Sequence, residues 1–233
     1  MMTTVRKELL GGWTTFEKSY IGGLLLLQLI VFYFNPENLI SMIAGISGVL
    51  CVTFVAKGKI SNYFFGVIQV SLYLIISLQF VLYGEVLLNS FYFIMQIVGI
   101  IVWRKKMNVA VSETSANTTE TAVVEARSLS KKQTIFTVTV VVVFWYLFGL
   151  MLDYFGSNQP YLDSITTAIS VVAQILMTLR YKEQWLLWIV VNILSIILWI
   201  IAGNPSMVAM WVAFLFNSSY GYYNWRKLAK QTA

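Results

Sequence analysis

The sequence predicts an all-α integral membrane protein with eight transmembrane helices, arranged 1+3+1+3 so that a single helix precedes each of two parallel three-helix repeats. Of its 233 residues, 58% are hydrophobic and only 11% are charged. A soluble domain carries roughly 25% charged residues. The apolar residues form long continuous runs, and the basic residues fall in the loops between alternate runs. This composition excludes a soluble enzyme or regulator.

The predicted crossings follow from the length of the apolar runs. Spanning a hydrocarbon core of about 30 Å takes roughly 17 to 25 mostly apolar helical residues. Helices are expected because backbone polar groups find no water in lipid, and a barrel would show alternating rather than continuous apolar residues. The crossings are residues 19–34, 39–56, 63–82, 86–103, 134–152, 161–179, 185–202 and 206–225. The first is short and either tilts little or lies partly at the interface.

The basic residues predict the orientation. All 16 Lys and Arg residues lie before the first crossing or after crossings two, four, six and eight. The loops on the other side hold only acidic charges, at Glu37, Glu85, Asp153 and Asp163. By the positive-inside rule, both termini are cytoplasmic. The net charge of +6 therefore reflects membrane topology, with the lipid bilayer as partner and no nucleic acid expected.

The longest loop divides the chain. Residues 108–130 are rich in Ser, Thr, Ala and Glu without apolar periodicity, which predicts a flexible loop. The predicted organisation is an N-terminal tail and accessory helix at 1–37, a first three-helix repeat at 38–103, a cytoplasmic linker at 104–133, a connecting helix at 134–160, a second three-helix repeat at 161–227 and a C-terminal tail at 228–233.

The two repeats have matching ends. Gly99 and Trp103 correspond to Gly221 and Trp225 at an offset of 122, and each tryptophan is followed by Arg-Lys. An offset of 123 pairs Gln69 with Asn192 and Asn62 with Trp185. Parallel repeats are a known transporter plan that holds substrate near the midplane, between the repeats. Trp103, Trp199 and Trp225 lie near the ends of crossings and are interpreted as aromatic-belt residues.

Amide and aromatic side chains form stripes on four of the crossings. Steps of three and four residues place Trp185, Trp188 and Asn192 on one helical face. Aromatic faces stack on rings and attract cations, while amides bind hydroxyl or carboxamide groups. The candidate substrate-binding residues are Trp188, Asn192, Gln96, Asn217, Gln69, Trp185, Asn62, Tyr92, Tyr73 and Tyr220. The competing interpretation is that such residues only hydrogen-bond neighbouring helices.

Several kinds of chemistry are not expected. The chain has no histidine, and its one cysteine, Cys51, lies in an apolar run. The sequence therefore predicts no catalytic residue, no metal site, no cofactor and no enzyme activity. No acidic or basic residue lies in the middle of a crossing. Proton-coupled carriers usually bury such groups, so passive, substrate-selective movement is favoured.

Three segments resemble the PnuC family, bacterial transporters of the NAD precursor nicotinamide riboside. They are the run from Glu183 to Trp188 followed by Asn192, the run from Phe91 to Gly99 with Trp103, and the run from Asn217 to Lys227. The resemblance implies a core related to SWEET sugar transporters, with three, one and three helices and the first crossing as an extra element. It also implies that Trp188, Asn192, Gln96 and Asn217 contact substrate.

The resemblance further implies a uniporter of the bacterial cytoplasmic membrane that works by alternating access. Accumulation would come from a cytoplasmic nicotinamide riboside kinase, because the charged product cannot return. Thiamine, riboflavin or a deoxynucleoside are alternative substrates on the same fold. A receptor or scaffold that transports nothing is a further alternative. The oligomeric state is open, since surfaces rich in Leu, Ile, Val and Phe are able to pack as dimers or trimers.

Overall fold

Eight long helices lie in the part of the chain that the structure describes. The structure, a computed structural model, describes residues 8–9, 11, 13–34, 39–79, 83–113, 123–156, 160–201 and 205–231. The helices are α1 (Thr15–Phe34), α2 (Leu39–Ala56), α3 (Asn62–Gln79), α4 (Tyr83–Glu113), α5 (Lys131–Tyr154), α6 (Pro160–Thr178), α7 (Gln184–Ile201) and α8 (Pro205–Gln231). Within these ranges the remaining regular pairing is an isolated β-bridge. Each helix overlaps one predicted crossing, which confirms the all-helical class.

Helix length and composition support a multi-pass membrane protein. Six helices, α1 to α6, are long and apolar enough to cross a membrane. Helix α7 contributes a shorter apolar stretch, Gln184–Leu198. Eight crossings in a 1+3+1+3 arrangement stay a prediction.

Helix α1 begins four residues before the predicted crossing because a capping box starts it. The Thr14 hydroxyl accepts a hydrogen bond from the Glu17 amide at 3.2 Å, and the Glu17 carboxylate accepts one from the Thr14 amide at 2.7 Å. This reciprocal pattern satisfies two amides that a helix start leaves free. Glu17 also pairs with Lys57 at 2.7 Å. The sequence Thr-Thr-Phe-Glu at 14–17 matches the capping-box pattern and so indicates a helix start at this position.

A segment before α1 covers the turn between α2 and α3. Lys59 is only 1% exposed, and its ammonium donates to the carbonyls of Glu8 and Gly11, each at 2.6 Å. It also lies 4.9 Å from the Trp13 ring centroid. Burial lowers the pKa of Lys59, while the Glu8 carboxylate opposes this shift. The N-terminal segment therefore provides hydrogen-bond acceptors for a lysine that is buried at the turn.

The prediction of a flexible loop over 108–130 is wrong at its start, because helix α4 continues to Glu113. Residues 123–130 form no helix, as predicted, but their backbone bonds to other parts of the chain. The Val124 amide donates to the Gly58 carbonyl at 2.8 Å, and the Arg127 amide donates to the Arg180 carbonyl at 2.7 Å. Backbone bonding of this kind needs no apolar periodicity, so composition alone did not indicate it.

The chain divides into two compact units, residues 1–125 and 126–233. In unit 1, α1 packs on α2, α2 on α3, and α3 on α4. In unit 2, α5 packs on α6, α6 on α7, and α7 on α8. Each unit therefore consists of one leading helix followed by three helices that pack in sequence order.

The turn that joins the second and third helices is the same in both units. In unit 1, the Gly58 amide donates to Val55 and the Lys59 amide to Phe54, at 2.8 and 3.0 Å. This is a Schellman motif, with the left-handed residue Gly58 at φ 67°. In unit 2, the bonds from Arg180 to Met177 and from Tyr181 to Leu176 repeat it at an offset of 122, at 3.0 and 2.9 Å. The left-handed residue there is Arg180, at φ 68°.

An aromatic ring on a glycine also recurs at the same offset. In unit 1, Tyr63 lies directly against Gly99 and meets Trp103 edge-on, with centroids 5.1 Å apart. In unit 2, Trp185 lies against Gly221 and meets Trp225 edge-on at 6.2 Å. The glycines let the helices approach closely enough for the rings to fill the gap. The internal repeat is therefore a repeat of packing as well as of sequence.

Two predictions about these residues are wrong. Trp103 and Trp225 are both 0% exposed, so they are core residues and not belt residues. Both tryptophans lie at the ends of apolar runs, and this position suggested aromatic-belt residues. The position along a helix does not show in which direction the ring points. The side chain of Trp199 lies outside the described residues.

The predicted offset of 123 is also wrong. Trp185 packs as Tyr63 does, which sets the offset at 122 and makes Gln184 the counterpart of Asn62. Gln69 then corresponds to Val191 and not to Asn192. The sequence alone left this choice open because polar residues at similar spacing fit either register.

Replacing Gly99 or Gly221 by Ala should destabilise the protein, because the added Cβ would overlap the ring of Tyr63 or Trp185. Overpacking of this kind costs about 1 to 3 kcal/mol. Thermal unfolding in detergent measures the effect. Gly22→Ala is the matched control, since nothing lies within 4 Å of a Cβ there. Equal unfolding temperatures for all three variants would contradict the proposed packing.

Candidate functional site

The ten candidate residues come from two neighbouring helices in each unit. Unit 1 supplies Asn62, Gln69 and Tyr73 from α3, and Tyr92 and Gln96 from α4. Unit 2 supplies Trp185, Trp188 and Asn192 from α7, and Asn217 and Tyr220 from α8. Since α3 packs on α4 and α7 packs on α8, each set belongs to one packed pair of helices.

In unit 2, the amide of Asn192 is held by a neighbouring helix. Its Nδ2 donates to Ser218 Oγ at 2.9 Å, and Asn192 is 3% exposed. Asn217, next to Ser218, is equally buried. Trp188 lies one helical turn before Asn192, on the same face, and is half-buried. An oriented carboxamide and a partly accessible indole ring therefore occupy one face of α7.

The two tryptophans of α7 have different surroundings. Trp185 is 3% exposed, with its ring against Gly221 and edge-on to Trp225. Its indole Nε1 has no hydrogen-bond partner among the described residues. The ring of Trp185 thus supports the packing of α7 on α8, while its N–H remains available. Trp188 has more accessible surface for stacking on a ligand.

In unit 1, glutamine side chains lie on glycines of an adjacent helix. An added Cβ at Gly66 would lie 2.7 Å from Gln96 Oε1, and one at Gly48 would lie 2.8 Å from Gln69 Nε2. Gln28 of α1 lies on Gly45 in the same way, with its Oε1 2.8 Å from the position of an added Cβ.

Gln96 differs from the other two glutamines in its burial. It is 5% exposed, and its Oε1 has no hydrogen-bond partner among the described residues. This carbonyl is a buried acceptor available to a ligand that carries donors.

The remaining candidates in unit 1 have more local roles. Asn62 is 0% exposed, and its Nδ2 donates to the Lys59 carbonyl at 2.6 Å, which closes the α2–α3 turn. Its Oδ1 has no partner among the described residues. Tyr73 is exposed, whereas Tyr92 and, in unit 2, Tyr220 are half-buried. Substrate contact by these four residues stays a prediction.

Ser218 was missed as a candidate residue. It is 4% exposed and accepts a hydrogen bond from Asn192. Nothing in the sequence distinguished it from the neighbouring Ser219, whose hydroxyl donates to the Leu215 carbonyl of its own helix. The repeat provides a signal, because the offset of 122 pairs Ser218 with Gln96. Equivalent positions of α4 and α8 thus both carry buried polar groups.

The candidate side chains are neutral amides, hydroxyls and aromatic rings. Such a set stacks on a flat ring and exchanges hydrogen bonds with hydroxyl and carboxamide groups. Tryptophan also attracts a cation that lies over its face, by roughly 0.5 to 2 kcal/mol. This chemistry suits the binding of a polar, ring-containing solute.

Comparisons with known proteins agree with this description. The sequence profile of the family described as "Nicotinamide mononucleotide transporter" matches residues 38–227. The chain is 47% identical to the nicotinamide riboside transporter PnuC of Neisseria mucosa, over 97% of this chain and 86% of that protein. It is 39% identical to the PnuC of Haemophilus influenzae, over 98% and 97% of the two chains.

A solved structure extends the similarity to the fold. The crystal structure of "the Vitamin B3 transporter PnuC" superposes with a TM-score of 0.84 at 44% identity, covering 100% of both chains. The relatives are transporters, so the function is not enzymatic. The chain belongs to the PnuC family of membrane transporters.

Proposed function

We propose that this protein carries nicotinamide riboside across the bacterial cytoplasmic membrane by facilitated diffusion. The single observation that supports this most directly is the 47% identity, over nearly the whole chain, to a PnuC nicotinamide riboside transporter. The neutral aromatic and amide side chains of α4, α7 and α8 support the same substrate.

The chemistry of the substrate matches the side chains. Nicotinamide riboside carries a flat pyridinium cation, a carboxamide and ribose hydroxyls. In the proposed mode of binding, the half-buried Trp188 ring lies against the pyridinium, where cation–π attraction adds to stacking. Asn192, oriented by Ser218, and the open Gln96 carbonyl exchange hydrogen bonds with the polar groups. Asn217, Gln69, Trp185, Asn62, Tyr92, Tyr73 and Tyr220 complete the proposed set.

Facilitated diffusion follows from the absence of formal charge in this proposed site. A carrier coupled to protons needs a group that titrates along its path, usually Asp, Glu or His. The ten proposed residues include none of these. Net accumulation would then depend on a cytoplasmic kinase that phosphorylates the nucleoside, because a charged phosphate does not return through the carrier.

The proposed transport cycle is alternating access, in which the binding site opens to one side of the membrane and then to the other. In the proposed topology, both termini are cytoplasmic. The α2–α3 and α6–α7 turns, with their lysines and arginines, are then on the cytoplasmic side. The proposed core is SWEET-like, with α1 as the additional helix.

Purified protein in liposomes should exchange labelled nicotinamide riboside without any ion gradient. We expect the initial rate of counterflow to be unchanged within twofold by a protonophore or by replacing sodium with choline, since no titrating or ion-binding side chain is proposed. Protein-free liposomes and a non-nucleoside sugar are the controls. A rate that collapses with the proton gradient would contradict the uniport, and the absence of exchange for any vitamin or nucleoside would favour a receptor or scaffold.

Trp188→Ala should weaken binding of nicotinamide riboside at least tenfold, because the substrate ring loses its stacking partner and cation–π attraction. Calorimetric titration in detergent measures the affinity. Trp145→Ala is the matched control, because Trp145 is a half-buried tryptophan of α5 outside the proposed set. The prediction fails if the Trp188 variant, monodisperse and folded, binds as the wild type does.

Asn192→Ala should also weaken binding, by about tenfold, since a buried polar group of the substrate would lose its partner. Ser218→Ala should have a smaller effect, because it removes only the bond that orients Asn192. Affinities and unfolding temperatures of the two single variants and the double variant form a thermodynamic cycle. If both single variants lower stability equally and neither changes affinity, the pair is only a contact between α7 and α8.

A further inference from the structure

Unit 2 contains a group of buried polar side chains that the proposed binding site does not use. Gln174, Thr178 and Gln184 are 6%, 1% and 0% exposed. Four of their polar atoms have no hydrogen-bond partner among the described residues: Gln174 Nε2, Thr178 Oγ1, Gln184 Nε2 and Gln184 Oε1. We refer to these three residues as the α6–α7 polar group.

The polar group lies where α6 ends and α7 begins. Gln174 and Thr178 are one turn apart on α6, so they share a face. Val172 and Leu176, which pack with Tyr181 in the hydrophobic core of this unit, lie on the other side of the helix. Both sides of α6 are therefore buried, and one of them is polar.

Gln184 continues this group onto α7. It is the first residue of that helix, and steps of four residues carry the same face from Gln184 to Trp188 and Asn192. The polar group thus leads from the turn into the proposed substrate-binding face of α7. In the proposed topology, this turn is the cytoplasmic end of unit 2.

Unit 1 shows that the turn does not require polar side chains at the positions of Gln174 and Thr178. At the offset of 122, Gln174 and Thr178 correspond to Val52 and Ala56 of α2, which are apolar. The backbone bonds of the turn are nevertheless the same in both units. The counterpart of Gln184 is Asn62, whose amide is used to close the turn at Lys59. Gln184 makes no such bond among the described residues.

Buried polar atoms without a partner destabilise a folded protein, and the interior of a membrane protein offers them little water. Apolar residues such as Val52 and Ala56, at the corresponding positions of α2, would avoid this cost at Gln174 and Thr178. The presence of four such atoms between Gln174 and Gln184 indicates partners that arrive and leave. A nucleoside with its hydroxyls and carboxamide, together with the water that accompanies it, provides donors and acceptors for all four.

We propose that the α6–α7 polar group is a release path through which the substrate passes between its binding site and the cytoplasm. The inference rests on the proposed function. In this role, Gln174, Thr178 and Gln184 exchange hydrogen bonds with a solute in passage, so they set the rate of transport and not the affinity of the resting site. They act on polyhydroxylated, ring-containing solutes and not on ions.

The test uses Thr178→Val, Gln174→Leu and Gln184→Leu, which preserve approximate shape and remove the polar atoms. We expect each variant to lower the initial rate of nicotinamide riboside counterflow in liposomes at least fivefold. The dissociation constant measured by calorimetry should stay within twofold of the wild type, and the unfolding temperature should be unchanged or higher. An unchanged or higher unfolding temperature would show that the polar groups do not hold helices together, since removing such contacts would lower it.

Thr53→Val is the matched control. Thr53 is a buried threonine of α2 whose hydroxyl already donates to its own helix, to the Val49 carbonyl at 2.9 Å. The same substitution there should leave the counterflow rate unchanged. If a leucine variant is not recovered in folded form, Gln184→Met and the isosteric Thr178→Val decide the question.

Two results would overturn the inference. Variants that transport at the wild-type rate would show that the polar group is not on the path. Variants that lose stability, affinity and transport together would show that it is a structural contact. Failure of the wild-type protein itself to exchange nicotinamide riboside would instead overturn the proposed function, so the two failures are distinguishable.

Discussion

Polar side chains buried in an apolar helical protein must find partners, and this constraint organises the structure. An amide or hydroxyl inside a membrane protein cannot rely on water, so it bonds its own helix, a neighbouring helix or a ligand. Asn62 closes a turn, and Asn192 bonds Ser218 of the next helix. Gln96 Oε1 and the α6–α7 polar group have no such partner among the described residues. In the proposed function, the substrate provides partners for these atoms as it binds or passes.

The internal repeat shows which features the two units share and which differ between them. Both units keep the Schellman turn, and both keep an aromatic ring on a glycine beside a buried tryptophan. The polar residues differ: unit 1 places Gln69 and Gln96 on glycines, whereas unit 2 has Asn192 with Ser218 and the α6–α7 polar group.

Much of this fold could be predicted from the sequence, because apolar runs report helices directly. All eight helices and the corresponding glycines and tryptophans were identifiable. The packing of individual rings could not be predicted. An apolar run shows how far along the helix Trp103 and Trp225 lie, but not the direction in which their rings point. The left-handed Arg180 was also unpredictable, because glycine usually occupies such a position. The candidate site was predictable as a set of residue types, while Ser218 and the full burial of Gln184 required three-dimensional contacts.

The measurement that most directly tests the account is calorimetric binding to the purified protein in detergent, comparing nicotinamide riboside, thiamine, riboflavin and a nucleoside without the pyridinium ring. We predict that nicotinamide riboside binds with clear preference, because a neutral tryptophan and amide site favours a flat cation that carries a carboxamide and hydroxyls. Preference for another vitamin would contradict the proposed substrate while leaving the fold intact. No binding of any of the four would contradict the assignment of these side chains to a binding site.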